Sequence, residues 1–174
     1  MRTVTSAGMA ALLALAALGA GWGSRAAGAA EPDTAAAEAV KLTRSEVRDR
    51  AETMPIDRRL DLDKRIRLTV ERVNREASDQ GQVKVASRLA REFHVSPDEL
   101  FAEKAEQGLS WGEMMIAHTL MAHSDNPIDF ADLAALHDEG LSWAAIAFGL
   151  QYHLEDLEEW VKAGGKVAMG LPKR

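Results

Sequence analysis

Cysteine is absent from the 174 residues of the chain. Disulfide cross-links and a cysteine nucleophile are therefore excluded, and no lipid anchor of the bacterial lipoprotein type is expected. Aromatic residues make up only 5%, so a core has to be built chiefly from Ala, Leu, Val and Met, a composition that suits helix packing. An excess of basic charge is also missing: 21 Lys and Arg stand against 27 Asp and Glu, a formal charge of −6. That balance argues against a nucleic-acid partner and against anionic lipid. Beyond the N-terminal segment no run is long and apolar enough to span a bilayer. There is no phosphate-binding glycine loop and no His-Glu-x-x-His. We assign no catalytic residue, no cofactor and no enzymatic activity from the sequence.

Residues 1–30 read as a cleavable signal peptide. Arg2 supplies the positive start, Ala7 to Leu18 is an apolar run of twelve residues, and Ala27-Gly28-Ala29 offers small side chains for cleavage. The run is too short to serve comfortably as a membrane span. The expected location is periplasmic or secreted, with no stable membrane insertion after cleavage. Cleavage removes Arg2 and Arg25 and no acidic residue, so the mature chain is more negative by two charges. What remains is enough for one domain with a modest core.

The mature chain divides by pattern into four parts. Residues 31–40 read as a flexible linker. Residues 41–80 read as a charged amphipathic arm. Its first helix spans 41–54, capped by Thr43 or Ser45, and Pro55 interrupts it. In its second helix Leu62, Ile66, Val70, Val73 and Ala77 share one face. This arm either packs on the rest or projects from it. Residues 82–163 are expected to form a bundle of five helices, spanning 82–93, 97–107, 111–123, 127–139 and 143–163. Residues 164–174, beginning Gly164-Gly165, read as a loose tail. The fold class expected is all-α.

The bundle is organised by a tetrapeptide written twice, Gly108-Leu109-Ser110-Trp111 and, 32 residues later, Gly140-Leu141-Ser142-Trp143. Glycine suits the left-handed position just past a helix end, and serine suits the N-cap of the next helix. Glu113 makes Ser110-x-x-Glu a capping box. Leu109 with Met114, and Leu141 with Ile146, have the spacing of hydrophobic staples. Each copy is therefore a short corner between two helices, giving two tandem helix–turn–helix units. Gly108, Ser110, Gly140 and Ser142 are the structural hinge residues. The alternative use of the tetrapeptide is a binding platform of the two Trp rings. Two further starts are marked: Ser96-Pro97-x-Glu99 is a capping box with proline at N1, and Asn126-Pro127 reads as a cap for the helix at 127–139.

Residues 86–101 resemble the helix–turn–helix of DNA-binding regulators. His94 stands where that motif has glycine, and the would-be recognition helix carries Asp98, Glu99 and Glu103, which would face phosphates unfavourably. We read this likeness as shared three-helix geometry without DNA binding. A second likeness rests on Val95, Ser96 and Leu100 followed by Gly108 to Glu113. It resembles small exported bacterial proteins of unknown function that carry a Gly-Leu-Gly/Ser-Trp-Gly-Glu segment after a Val-Ser-x-x-x-Leu helix start. The second corner departs from it, with Ala144-Ala145 in place of Gly112-Glu113. The resemblance implies a small helical secreted domain and carries no catalytic or binding residue.

Five histidines raise the question of a metal: His94, His118, His123, His137 and His153. No two are three or four apart on a helix, so a site would have to be assembled between helices. His118 lies on a stripe with Trp111, Met114, Met115 and Met121. His123 ends its helix, where a partly positive imidazole suits the dipole. Two functions of different class follow. The first is a non-enzymatic interaction module binding another envelope or secreted protein. The second is a small-ligand or metal-binding module, its pocket between helices 111–123 and 143–163, centred on His118 with Trp111, Met115 and Trp143 as binding residues. The surroundings of His118 decide between them.

Overall fold

The computed structural model describes residues 42–126 and 128–173. The expected signal peptide, the linker at 31–40 and Pro127 lie outside these residues. The described residues form eight helices and no strand: α1 Arg44–Glu52, α2 Ile56–Gln80, α3 Gln82–Phe93, α4 Pro97–Gln107, α5 Trp111–His123, α6 Phe130–Asp138, α7 Trp143–Gly149 and α8 Leu154–Ala168. The all-α bundle expected from the pattern is the architecture observed.

Helix starts follow the local chemistry. Thr43 caps α1: its hydroxyl accepts from Glu46 N at 3.3 Å, and the Glu46 carboxylate accepts from Thr43 N at 2.8 Å. Ser96 does the same for α4 with Glu99, behind Pro97 at N1. These reciprocal bonds satisfy backbone donors that would otherwise be orphaned. At the other end of α3, His94 adopts a left-handed φ of 58°, and Val95 N bonds back to Ala90 O at 3.1 Å, which closes the helix.

Helix α2 is the longest, and it does not project. Leu62, Ile66, Thr69, Val73 and Ala77 are buried on one face, against α3, α5, α7 and α8. The boundary drawn between an arm at 41–80 and a bundle at 82–163 is thus only the turn at Gly81, and both stretches share one core. Helix α5 is enclosed over most of its length. From Trp111 to Leu120 every residue but Glu113 is buried, the state of a helix apolar on all sides.

Close helix crossings rest on glycine. A Cβ at Gly112 would lie 2.6 Å from Val70 Cα and 2.7 Å from Val70 O, so α5 meets the backbone of α2. A Cβ at Gly149 would collide with the Val47 carbonyl oxygen of α1. Gly164 and Gly165 belong to the same group. The tail expected at 164–174 is corrected here: α8 runs through both glycines to Ala168, and both are buried. A Cβ at Gly165 would lie 2.6 Å from Thr69 Cγ2, and one at Gly164 would lie 3.3 Å from Met115 Cγ. The pair admits α2 and α5 to close range instead of stopping the helix.

Two other boundaries differ from the sequence pattern. The single helix expected at 143–163 is broken into α7 and α8. Gln151 takes a left-handed φ of 68°, with Gln151 N bonded to Phe148 O and Tyr152 N to Ala147 O, each at 3.0 Å. This is a Schellman closure built without glycine. Helix α6 starts at Phe130 behind Asp129, three residues later than the Asn126 cap would place it. The Asn126 side chain is engaged elsewhere, its Nδ2 donating to Leu150 O at 3.3 Å.

Candidate functional site

The two Gly-Leu-Ser-Trp corners stand where the sequence puts them. Gly108 has φ 69° and Gly140 φ 95°, the left-handed backbone that L-residues with a Cβ avoid. Ser110 Oγ accepts from Glu113 N at 3.4 Å, and Glu113 Oε2 accepts from Ser110 N at 2.8 Å. Ser142 Oγ accepts from Ala145 N at 3.3 Å, without the glutamate's return bond. Helix α2 supplies a second cap to each corner helix. Asn74 Oδ1 accepts from Gly112 N at 2.8 Å, and Asp63 Oδ1 accepts from Ala144 N at 3.3 Å. Gly112 and Ala144 are the residues directly after the two tryptophans. The corners therefore hang from α2 at equivalent points, three turns apart, a tie not visible in the sequence.

Residues 108–112 also spell Gly-x-Ser-x-Gly, the pattern of a nucleophile elbow. That elbow is a strand-to-helix turn with a histidine on the serine hydroxyl. Here the turn joins two helices, and Ser110 Oγ serves as an N-cap. The neighbouring histidine, His137, bonds to Leu141 O through Nδ1 at 2.9 Å and to Glu113 Oε1 through Nε2 at 3.3 Å. Neither ring nitrogen is left for the serine, so the geometry is that of a support and not of a triad. The His137 ring also stacks on Trp143, centroids 4.4 Å apart. The hydrogen bond from His137 holds the Glu113 carboxyl down at about 2, against the cost of its burial. The same bond raises His137 above the ordinary histidine range.

The four residues singled out for binding are brought into the core. Trp111 is 3% exposed, Met115 0%, His118 4% and Trp143 5%. Trp111 donates from Nε1 to Gln82 Oε1 at 3.1 Å and meets Phe101 edge-on at 5.1 Å. Neither tryptophan offers a platform to solvent. His118 lies between Phe93 and Phe130, at 5.3 and 5.1 Å between ring centroids, and its Nε2 meets Glu103 Oε2 at 2.8 Å. This is a filled, hydrogen-bonded core position. Where a pocket was expected between α5 and α8, the two helices approach closely: a Cβ at Gly164 would lie 3.3 Å from Met115 Cγ. Among the described residues no group of three or more His, Asp or Glu is placed to hold a metal ion.

A polar hollow of about 310 Å³ opens instead beside the break between α7 and α8, lined in part by His123, Asp125, Gln151, Tyr152, His153 and Trp160. Tyr152 OH donates to the Leu120 carbonyl, and burial pushes its phenol up to about 12. His123 stacks flat on Trp160 at 4.2 Å. Burial lowers its pKa, which favours the neutral ring over the partly positive one expected at a helix end.

The solvent side of α2 carries the other feature that the pattern did not single out. Ile56, Leu60 and Leu68 are 58%, 60% and 45% exposed. At about 100° per residue they form one ridge with Lys64, opposite the buried stripe. Helix α8 is tied to α2 beside this ridge: Arg65 bonds to Glu158 at 2.6 Å and to Asp61 at 2.5 Å. Glu158 is thus a cross-helix partner. No protein-family model, curated protein or solved structure matches the chain.

Proposed function

We propose that the protein is a non-enzymatic, exported interaction module of the cell envelope or secreted fraction, binding another exported protein through the outer face of α2. The observation that carries this reading is the double-sided character of α2. One apolar stripe is sealed in the core, and a second, Ile56-Leu60-Leu68, faces solvent. Large apolar side chains aligned on one ridge mark an association surface, unlike single residues scattered over a surface. The aliphatic stem of Lys64 extends the ridge between Leu60 and Leu68.

Export is supported by the ordered signal of Arg2, the apolar run and Ala27-Gly28-Ala29. No described helix is long and apolar enough to cross a membrane. Nucleic acid is not the proposed partner, because α4, the would-be reading helix, bears Asp98, Glu99 and Glu103. The alternative of a ligand or metal module centred on His118 needs an open histidine, and His118 is closed on both ring faces.

The test is capture of an exported protein from envelope extract by the mature chain, with Leu60→Glu and Leu68→Glu as variants. Both positions are exposed, so circular dichroism should be unchanged. Capture that is lost in the variants supports the reading, and capture that is identical in all three proteins refutes it.

A further inference from the structure

We infer that the polar hollow at the break between α7 and α8 is a binding site for a small organic cation, an alkylated ammonium group on a short carbon chain. No residue lining the hollow lies on α2, so this site stands apart from the face assigned to a protein partner.

The break that opens the hollow holds Gln151 at φ 68°, a backbone that glycine or asparagine would take with less strain. Strain kept beside a cavity is a mark of a site. The volume of about 310 Å³ falls at the small end of ligand pockets. Its polar side chains are also uncommitted. Among the described residues none hydrogen-bonds the ring nitrogens of His123 or His153, the carboxylate of Asp125 or the side-chain amide of Gln151. Tyr152 and Asn126, in contrast, are engaged by the carbonyls of Leu120 and Leu150.

Charge selects the class of ligand. Asp125 is the one acid among the lining residues, and no Lys or Arg is among them. Helices α5 and α7 end at the hollow, at His123 and Leu150, and helix C-termini carry partial negative charge that favours cations. The positive end of α8 also lies there, at His153, but Glu155 and Asp156 in its first turn offset it. The charges that act on His123 from outside the hollow are Glu92 and Lys173, which pair with each other. Burial favours the neutral His123 ring, which accepts a hydrogen bond where an imidazolium would repel a cation. The rings of Tyr152 and Trp160 complete the wall, and aromatic rings attract alkylated ammonium groups through their π systems. A bare metal ion does not fit, because among the described residues no three His, Asp or Glu groups converge on one point. An organic cation spans the separation, its charge towards Asp125 and its carbon groups against the rings.

Choline is the probe, with its uncharged tert-butyl analogue and glucose as controls. In NMR titrations of the mature protein, choline should bind in roughly the millimolar range. It should shift the indole N–H signal of Trp160 and leave those of Trp111 and Trp143, which are enclosed in the core. The uncharged analogue should bind about tenfold more weakly or worse. Asp125→Asn should weaken choline by about tenfold with circular dichroism unchanged, since the residue is exposed. Gln151→Gly should raise the melting temperature and weaken choline, because it relieves the strain and removes the amide. Equal binding of choline and its analogue, tighter binding of glucose, an unmoved Trp160 signal, full choline affinity in Asp125→Asn, or no choline binding up to about 100 mM overturns the inference.

Discussion

His137 and Glu113 join the two Gly-Leu-Ser-Trp corners: the capping glutamate of the first accepts at 3.3 Å from the histidine that stacks on the tryptophan of the second. The other ring nitrogen faces the Leu141 carbonyl at 2.9 Å. Both neighbours are acceptors, so the pair of bonds is complete only when both nitrogens carry a proton, which favours the imidazolium form.

The bridge fixes a pH dependence of stability. The folded pKa of His137 is raised above 6.5, chiefly by the bond to Glu113 and also by the charge of Asp138. Its contribution is complete below 6.5 and is lost as pH rises through the raised value. Glu113 falls from 4.5 to about 2, so its contribution is complete above 4.5 and is lost as pH drops towards 2. Urea midpoints should therefore fall above pH 6.5. His137→Phe, which keeps a ring on Trp143, should remove that fall. A wild-type profile flat from pH 6 to 9 would reject the bridge.

The corners should answer to substitution as caps. Ser110→Ala should cost about 1 kcal/mol in urea unfolding. Gly140→Val should cost more. The space around its Cβ is open within 4 Å, so the penalty is that of a β-branched residue held at φ 95°. Neutral outcomes at both positions would sink the assignment.

Gly112→Ala separates a close crossing from a turn. In a solvent-exposed helix this change would stabilise by about 1 kcal/mol. Against the Val70 backbone at 2.6 Å it should instead destabilise by about 2–3 kcal/mol. A more stable variant in thermal or urea melts would show that α2 and α5 are further apart than described.

His118→Leu removes the partner of a half-buried carboxylate, Glu103, and should cost about 2 kcal/mol. Zinc added to the wild-type protein should leave its melting temperature unchanged. A rise of several degrees that His118→Leu abolishes would restore the metal-binding reading.

N-terminal sequencing of the exported form should give a start at Ala30 or Glu31. An intact Met1 on a cytoplasmic protein would defeat the export proposal and reopen DNA binding.

What was legible in the sequence was what neighbours in the chain decide. Ser96-Pro97-x-Glu99 and Ser110-x-x-Glu113 complete their bonds within four residues, so their helix starts could be read directly. The stripe Leu62, Ile66, Val70, Val73, Ala77 likewise declared its inward face, with Val70 only partly buried at its edge. The misread boundaries depend on distant contacts. Asn126 is drawn from its capping role by Leu150, 24 residues on. Gly164 and Gly165 look like a stop until Thr69 and Met115 are brought against them. The apolar run through Leu150, Leu154 and Leu157 gave no hint of a break, because Gln151 is not a residue that ordinarily takes positive φ. His118 was rightly noticed as unusual, but its partner Glu103 lies on another helix, and only that contact shows the ring to be packing.

The place of α2 also sets the timing of assembly. Its inner face is covered in part by α8, and the tie from Arg65 to Glu158 spans 93 residues. As the chain is made, Leu62, Ile66, Val73 and Ala77 emerge long before that cover exists. Early segments can coil locally, but the long-range contacts that hold them arrive late. The closing of the molecule is thus controlled by the end of the chain, and a product cut short before Leu154 would carry its longest helix with one apolar face partly bare.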